Sequence, residues 1–95
     1  MVDTDLIEWQ KFRDNAGIKN LTKENIQIDL IKLEPNSQFD EHVHDKAEWI
    51  YVLKGSFSDE NGTYSQGYFV MVEKGSKHST KSGEQGCEVL VVKLV

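Results

Sequence analysis

The feature that most restricts the fold of this chain is the recurrence of turn-forming residues at short intervals. Segments of roughly four to eight residues lie between them, a length typical of strands. Several segments alternate apolar and polar residues, as Ile26-Gln27-Ile28-Asp29-Leu30 does, whereas helical periodicity is scarce. The turn-forming residues are Asn15–Gly17, Pro35-Asn36, Gly55, Asn61-Gly62, Gly67, Gly75 and Ser82–Gly86. We therefore expect an all-β sandwich or barrel.

The pattern also predicts where the strands lie. Asn61-Gly62 indicates a tight hairpin of type I′, because both central residues of that turn need positive φ. The first dozen residues are ambiguous and could form a short helix instead of a strand. The predicted strands are Leu6–Phe12, Ile18–Leu21, Ile26–Leu33, Gln38–His44, Glu48–Lys54, Phe57–Asp59, Thr63–Ser65, Tyr68–Val72, His78–Lys81 and Cys87–Leu94.

Size and charge exclude several classes of protein. A chain of 95 residues and 10.9 kDa supports one hydrophobic core. Eleven basic and sixteen acidic residues give a net charge of −5, so we expect no nucleic-acid partner. No apolar run approaches a membrane span, and no secretory signal is recognisable, so no membrane partner is expected. The single cysteine, Cys87, fits a cytoplasmic location and is expected to be a small buried apolar residue.

The three histidines and one glutamate form the candidate site. His42 and His44 are two residues apart on a predicted strand, so their side chains share a face, with Val43 on the other. Glu48 follows at the start of the next strand, and a turn could bring it to the pair. His78 comes from a different strand, and we expect it to close the site across the barrel. Imidazoles with a carboxylate are suitable ligands for Fe, Mn, Ni or Zn.

Simpler interpretations exist for these residues. The histidines could be exposed strand residues, and Glu48 could be an ordinary charged one. However, Glu48 shares its strand face with Ile50 and Val52, which are expected to face the core. A carboxylate on a buried face needs a partner, because an isolated buried charge is costly. A metal ion is one such partner.

The spacing of these residues resembles the first motif of the cupin family of small β-barrels. That motif is a glycine, five residues, His-x-His, three residues, Glu, six residues and Gly. His42, His44, Glu48 and Gly55 stand at matching offsets, and Asn36 replaces the first glycine. Asn tolerates positive φ and can therefore replace a turn glycine.

The second cupin motif is also similar. Gly67, Gly75 and His78 match it, whereas Glu73 replaces a proline and Ser82 replaces an asparagine. The resemblance covers roughly residues 25–94. It implies a double-stranded β-helix, or jelly-roll barrel, with core motifs at about residues 36–82. Residues 1–95 are then one cupin domain, in which residues 1–24 form an N-terminal extension that packs on the barrel or extends it.

A closer resemblance is to the cupin domain of ChrR-type zinc anti-sigma factors. It rests on Leu53–Tyr64, Gly75–His78 and Gly86-Cys87. In those proteins a separate helical zinc domain with cysteine ligands binds the sigma factor. This chain has no room for such a domain, so we do not expect anti-sigma activity. What the resemblance implies is one divalent metal ion bound by His42, His44, Glu48 and His78.

Two hypotheses for the function follow. The first is a small metalloenzyme, with dioxygenase or isomerase chemistry on a small oxygenated molecule. The alternative is a non-catalytic sensor or regulatory module, in which zinc takes all four ligands. A weaker possibility is a purely structural barrel.

The sequence also indicates a homodimer. Trp49, Tyr51 and Leu53 make the second face of the strand beginning at Glu48 apolar, so both faces are expected to be covered. Another subunit could cover this face, as could the termini of the chain itself.

Overall fold

The computed structural model describes all 95 residues and is an all-β jelly-roll barrel, as the sequence predicted. A 3₁₀ turn at Thr4–Leu6 precedes the first strand. No helix in it has the length and apolar character to cross a membrane. The strands are β1 (Gln10–Arg13), β2 (Ala16–Lys23), β3 (Ile26–Leu33), β4 (Gln38–Val43), β5 (Glu48–Asp59), β6 (Gly62–Ser65), β7 (Phe69–Val72) and β8 (Lys77–Leu94).

Two long strands, β5 and β8, pair with each other and divide the barrel into two layers. The first layer has the order β1-β2-β3-β8-β5, with β7 on the far side of β5. In the second layer, the N-terminal part of β8 pairs with β4, and the C-terminal part of β5 pairs with β6. All pairs are antiparallel, so β5 and β8 each belong to both layers.

The strands pass between the layers at two glycines. The sequence predicted turns at Gly55 and Ser82–Gly86, and this was wrong because β5 and β8 continue through both. Gly55 has φ 69° and Gly86 has φ 74°, and the pairing register shifts just after Gly55. A Cβ on Gly55 would overlap the carbonyl oxygen of Gly86. Glycine therefore allows a bulge and a close crossing here, where we expected a chain reversal.

The hairpin predicted at Asn61-Gly62 is present, but its turn lies one residue earlier. Asp59 pairs with Gly62, so Glu60 and Asn61 form the two-residue loop. Neither has positive φ, so the type I′ prediction was wrong. The Asp59 carboxylate stabilises this earlier turn, because its Oδ1 accepts a hydrogen bond of 2.8 Å from the Asn61 backbone N–H.

Two of the positions that depart from the cupin motifs, Asn36 and Ser82, help to form the β3–β4 turn. Asn36 has φ 53°, as its substitution for a turn glycine predicted. Ser82 is buried, and its hydroxyl accepts a hydrogen bond of 2.9 Å from the Ser37 backbone N–H. The same hydroxyl donates to the Glu34 carbonyl. Ser82 therefore fastens the β3–β4 turn to β8.

The core lies between the layers. Val52, Phe57, Cys87, Val89 and Val91 form one buried cluster. Burial, followed by the neighbouring charge of Glu88, raises the pKa of the Cys87 thiol to about 12. The thiol is therefore protonated at neutral pH and packs as an apolar group, as expected.

We predict that Gly55→Ala destabilises the fold more than Gly67→Ala does. Both glycines have positive φ, which costs a non-glycine residue about 1–3 kcal/mol. Only Gly55 lies against another backbone, whereas an added Cβ at Gly67 meets nothing within 4 Å. Urea denaturation of the two variants measures the difference. Equal losses in the free energy of unfolding would contradict the close crossing.

Candidate metal centre

The four predicted ligands come from three neighbouring parts of the barrel. His42, on β4, pairs directly with His78 on β8. His44 lies just beyond the end of β4, although the sequence placed it within the strand. Its backbone is nevertheless fixed, because its N–H donates to the Ser76 carbonyl at 3.0 Å and its carbonyl accepts from the Gly75 N–H at 2.7 Å. Glu48 is the first residue of β5.

These side chains lie close together. The ring centres of His42 and His44 are 4.5 Å apart, and those of His44 and His78 are 5.5 Å apart. His44 Nδ1 lies 3.6 Å from Glu48 Oε2. All four line one cavity of about 300 Å³. Val43 is 57% exposed, as the alternation of side chains along β4 requires.

One part of the predicted geometry differs. We expected His78 to close the site across the barrel, but it lies beside His42 in the same layer, because β4 and β8 are hydrogen-bonded neighbours. Glu48 is the residue that comes from the other layer, where it pairs with Lys93 of β8. Lys93 Nζ lies 4.0 Å from Glu48 Oε1. The candidate site therefore spans both layers.

The electrostatic environment favours a neutral His44. Burial lowers its pKa below 6.5, and the nearby His42 and His78 lower it further, whereas Glu48 opposes the shift. A histidine must be neutral at its coordinating nitrogen to bind a metal ion. At neutral pH, His44 is therefore in the form that binding requires.

Asp59, which was not among the predicted site residues, lies next to His78. Its Oδ2 is 3.3 Å from His78 Nδ1, although the contact lacks the alignment of a hydrogen bond. His78 Nδ1 is buried and has no hydrogen-bond partner. No sequence motif indicates this contact, because it depends on the register in which the β5–β6 hairpin meets β8.

The residues fit a metal ion in donor type, since imidazole nitrogens and a carboxylate are common ligands of Zn, Fe, Mn and Ni. No three of the chain's His, Cys, Asp and Glu side chains already converge in the arrangement that would hold one. Two imidazoles bound at about 2.1 Å, with bond angles near 90–110°, have ring centres roughly 4.7–5.4 Å apart. The observed separations of 4.5 Å for His42–His44 and 5.5 Å for His44–His78 lie just outside that range. The ligand set remains a prediction.

Comparison with known proteins identifies the family. Residues 1–94 match the family model of the ChrR cupin-like domain. The chain therefore belongs to this family of cupins, which confirms the resemblance found in the sequence. No curated protein sequence matches the chain significantly.

Solved structures agree on the fold. An RmlC-like cupin from Ralstonia eutropha has a TM-score of 0.89 at 15% identity, covering 99% of this chain and 67% of its own. A chain from the Rhodobacter sphaeroides complex of SigE with the anti-sigma ChrR has a TM-score of 0.85 at 18% identity. The match covers 96% of this chain and 51% of the other. A provisionally named acetylacetone dioxygenase from Methylibium petroleiphilum has a TM-score of 0.86 at 17% identity. The match covers 99% of this chain and 75% of the other. At these identities the likeness establishes the cupin fold.

The lowered pKa of His44 predicts that the metal-free protein loses stability as the pH falls from 7.5 to 5.5. Unfolded His44 takes up a proton near pH 6.5, whereas folded His44 does so only at lower pH. Below about pH 6.5 the unfolded state therefore binds more protons, which favours unfolding. Urea denaturation across this range should show a shallower pH dependence for His44→Gln. Identical dependences would contradict the environment described for His44.

Proposed function

We propose that this chain binds one divalent metal ion through His42, His44, Glu48 and His78, and that a small oxygenated molecule binds beside it. The observation that carries the proposal is that all four side chains line the same cavity. Three imidazoles and a carboxylate suit Zn, Fe, Mn or Ni. The family match and the matching motif offsets support the same ligand set.

The cavity suggests what kind of molecule would bind. Its volume of about 300 Å³ is at the small end of ligand sites. Apolar side chains make up much of its wall, among them Ile50, Phe57, Val72, Val89 and Val91. These exclude water and suit a compact carbon skeleton, and polar atoms of the ligand would then be directed towards the histidines.

We propose a metalloenzyme with dioxygenase- or isomerase-like chemistry. A bound metal ion would act as a Lewis acid towards a ligand oxygen, and iron or manganese could also support chemistry with dioxygen. The four proposed ligands would come from both layers of the barrel. The apolar wall would orient the substrate and keep water away.

A second candidate is a zinc-binding regulatory module. The family match to the ChrR cupin-like domain, which covers residues 1–94, favours it. In this case the protein side chains would fill a four-coordinate zinc site and leave no position for a substrate. The identity of the metal separates the two candidates.

Metal analysis of protein purified without a metal-affinity step should find about one metal ion per chain. His42→Ala, His44→Ala and His78→Ala should each lower the occupancy strongly, because each removes a ligand. Val43→Thr is the matched control and should retain the metal, because it removes none of the four proposed ligands, although Val43 also borders the cavity. A ligand at a hundredfold excess over its Kd stabilises the native state by about 2.7 kcal/mol, so chelation should also lower the melting temperature.

Two results would contradict the proposed site. One is loss of metal in Val43→Thr with retention in His78→Ala. The other is an unchanged melting temperature after chelation has been verified.

Turnover distinguishes the enzyme from the regulatory module. Protein loaded with iron, manganese, nickel or zinc is mixed with small diketones and sugars. Substrate loss and oxygen uptake are then both measured. Turnover that His78→Ala abolishes would support the enzyme. Exclusive binding of zinc, with no turnover, would support the regulatory module.

We also propose that the protein forms a homodimer through the outer face of β5 and β7. Trp49 pairs with Met71 and Tyr51 with Phe69 across these strands. Phe69 is 66% exposed and Met71 55%, so large apolar side chains lie next to one another on the surface. A second copy of the chain would remove this face from water.

Analytical ultracentrifugation tests the dimer. Phe69→Glu should shift the protein towards a monomer, because it places a charge in the proposed interface. Val43→Glu introduces the same charge at an exposed apolar position in the other layer and should leave the mass unchanged. A monomeric wild-type protein, or a dimer that Phe69→Glu leaves intact, would refute the interface.

Four further expectations remain proposals. We propose a cytoplasmic location, which the single reduced Cys87 supports. We propose that residues 1–95 act as one cupin domain in which residues 1–24 extend the barrel. The acidic net charge supports the absence of a nucleic-acid partner. We also propose no membrane partner.

A further inference from the structure

Asp59 is a buried carboxylate beside one of the proposed ligands. It is the last residue of β5, and its side chain is 7% exposed. Its Oδ2 lies 3.3 Å from Nδ1 of His78, whose side chain is 15% exposed. No lysine or arginine side chain forms an ion pair with Asp59.

The two oxygens of Asp59 have different surroundings. Oδ1 accepts hydrogen bonds from the Asn61 backbone N–H at 2.8 Å and from the Tyr64 hydroxyl at 3.1 Å. Burial, followed by the charge of Asp59, raises the pKa of Tyr64, so this phenol keeps the proton that it donates. Because Oδ1 is already engaged by two donors, Oδ2 is the oxygen that remains for His78.

The loop next to Asp59 is attached to the strand that carries His78. Both carboxylate oxygens of Glu60 accept from the Ser79 backbone N–H at 3.1 Å, and Oε2 also accepts from the Ser79 hydroxyl at 3.1 Å. Ser79 directly follows His78. These bonds hold the β5–β6 loop against β8. They join the residue after Asp59 to the residue after His78 and therefore restrict the position of Asp59 relative to His78.

His78 Nδ1 needs a partner. A buried polar atom without a hydrogen bond destabilises the native state, and Nδ1 has no such bond in this structure. Asp59 Oδ2 is already within hydrogen-bonding distance, so a small rotation of the ring is enough to align an Nδ1–H with it. A carboxylate accepts but cannot donate, so this contact selects the tautomer with the proton on Nδ1.

We infer that Asp59 is a positioning residue that holds His78 in its Nδ1–H tautomer and leaves Nε2 as the nitrogen available to a ligand in the cavity. The consequence for metal binding rests on the proposed function, whereas the tautomer itself does not. A carboxylate that accepts from the second nitrogen of a ligand histidine fixes its orientation and increases its basicity. Loss of such a partner typically lowers metal affinity 10–100-fold.

The first test measures the tautomer in metal-free protein. Long-range ¹H–¹⁵N spectra, recorded at a pH where His78 is neutral, distinguish a proton on Nδ1 from one on Nε2. We expect Nδ1–H in the wild type and a shift towards Nε2–H in Asp59→Ala. Asp59→Asn, which preserves the shape of the side chain, provides a second variant if Asp59→Ala does not fold. We expect a mixture of tautomers in Asp59→Asn.

The second test measures affinity for Zn²⁺ by competition with a chelator. Asp59→Ala should bind 10–100-fold more weakly, and Asp59→Asn should lie between it and the wild type. Tyr64→Phe removes one donor to Oδ1 and should have a smaller effect. Asp40→Asn is the matched control: it removes an exposed carboxylate from β4 near the site and should change neither affinity nor tautomer.

An Nε2–H tautomer in the wild type would overturn the inference, because Nδ1 would then be the free nitrogen. An unchanged tautomer and affinity in both Asp59 variants would also overturn it. If the wild type binds no metal, the proposed function fails, and the tautomer measurement still decides the role of Asp59.

Discussion

The site depends on the pairing of β8 with strands in both layers of the barrel. Leu33 and Gly55 both pair with Cys87, beyond the bulge at Gly86, where β8 lies between β3 and β5. Before the bulge, β8 lies between β4 and β5. A single strand therefore sets the separation and register of the two layers. The close crossing of β5 and β8 at their glycines allows the bend without breaking the hydrogen-bonded ladder.

This arrangement determines where the polar groups lie. The N-terminal end of β8 carries His78 opposite His42, and its C-terminal end carries Lys93 opposite Glu48. The buried valines Val89 and Val91 lie between these ends. An apolar wall therefore adjoins the histidines, and the only acidic candidate ligand approaches from the other layer. A metal ion bound by all four side chains would connect the layers and would be expected to stabilise the fold.

The sequence predicted the parts that depend on local periodicity and spacing. Alternation located β3 closely, and the structure brings His42, His44 and Glu48, which the motif offsets singled out, to one cavity with His78. Prediction from the sequence failed where a residue's role depends on pairing between distant strands. Glycines at bulges cannot be distinguished from glycines at turns until the partner strand is known, so β5 and β8 were each divided in two. The contact of Asp59 with His78 was missed for the same reason.

The most direct test of the proposed metal centre is anomalous diffraction from crystals grown with Co²⁺. We expect one strong anomalous peak per chain, about 2.1 Å from nitrogen atoms of the three histidines and close to the Glu48 carboxylate. Nε2 should be the nitrogen of His78 that faces the peak. No peak in this cavity at full Co²⁺ saturation, or peaks found only at surface carboxylates, would contradict the proposal that the barrel is built around a metal site.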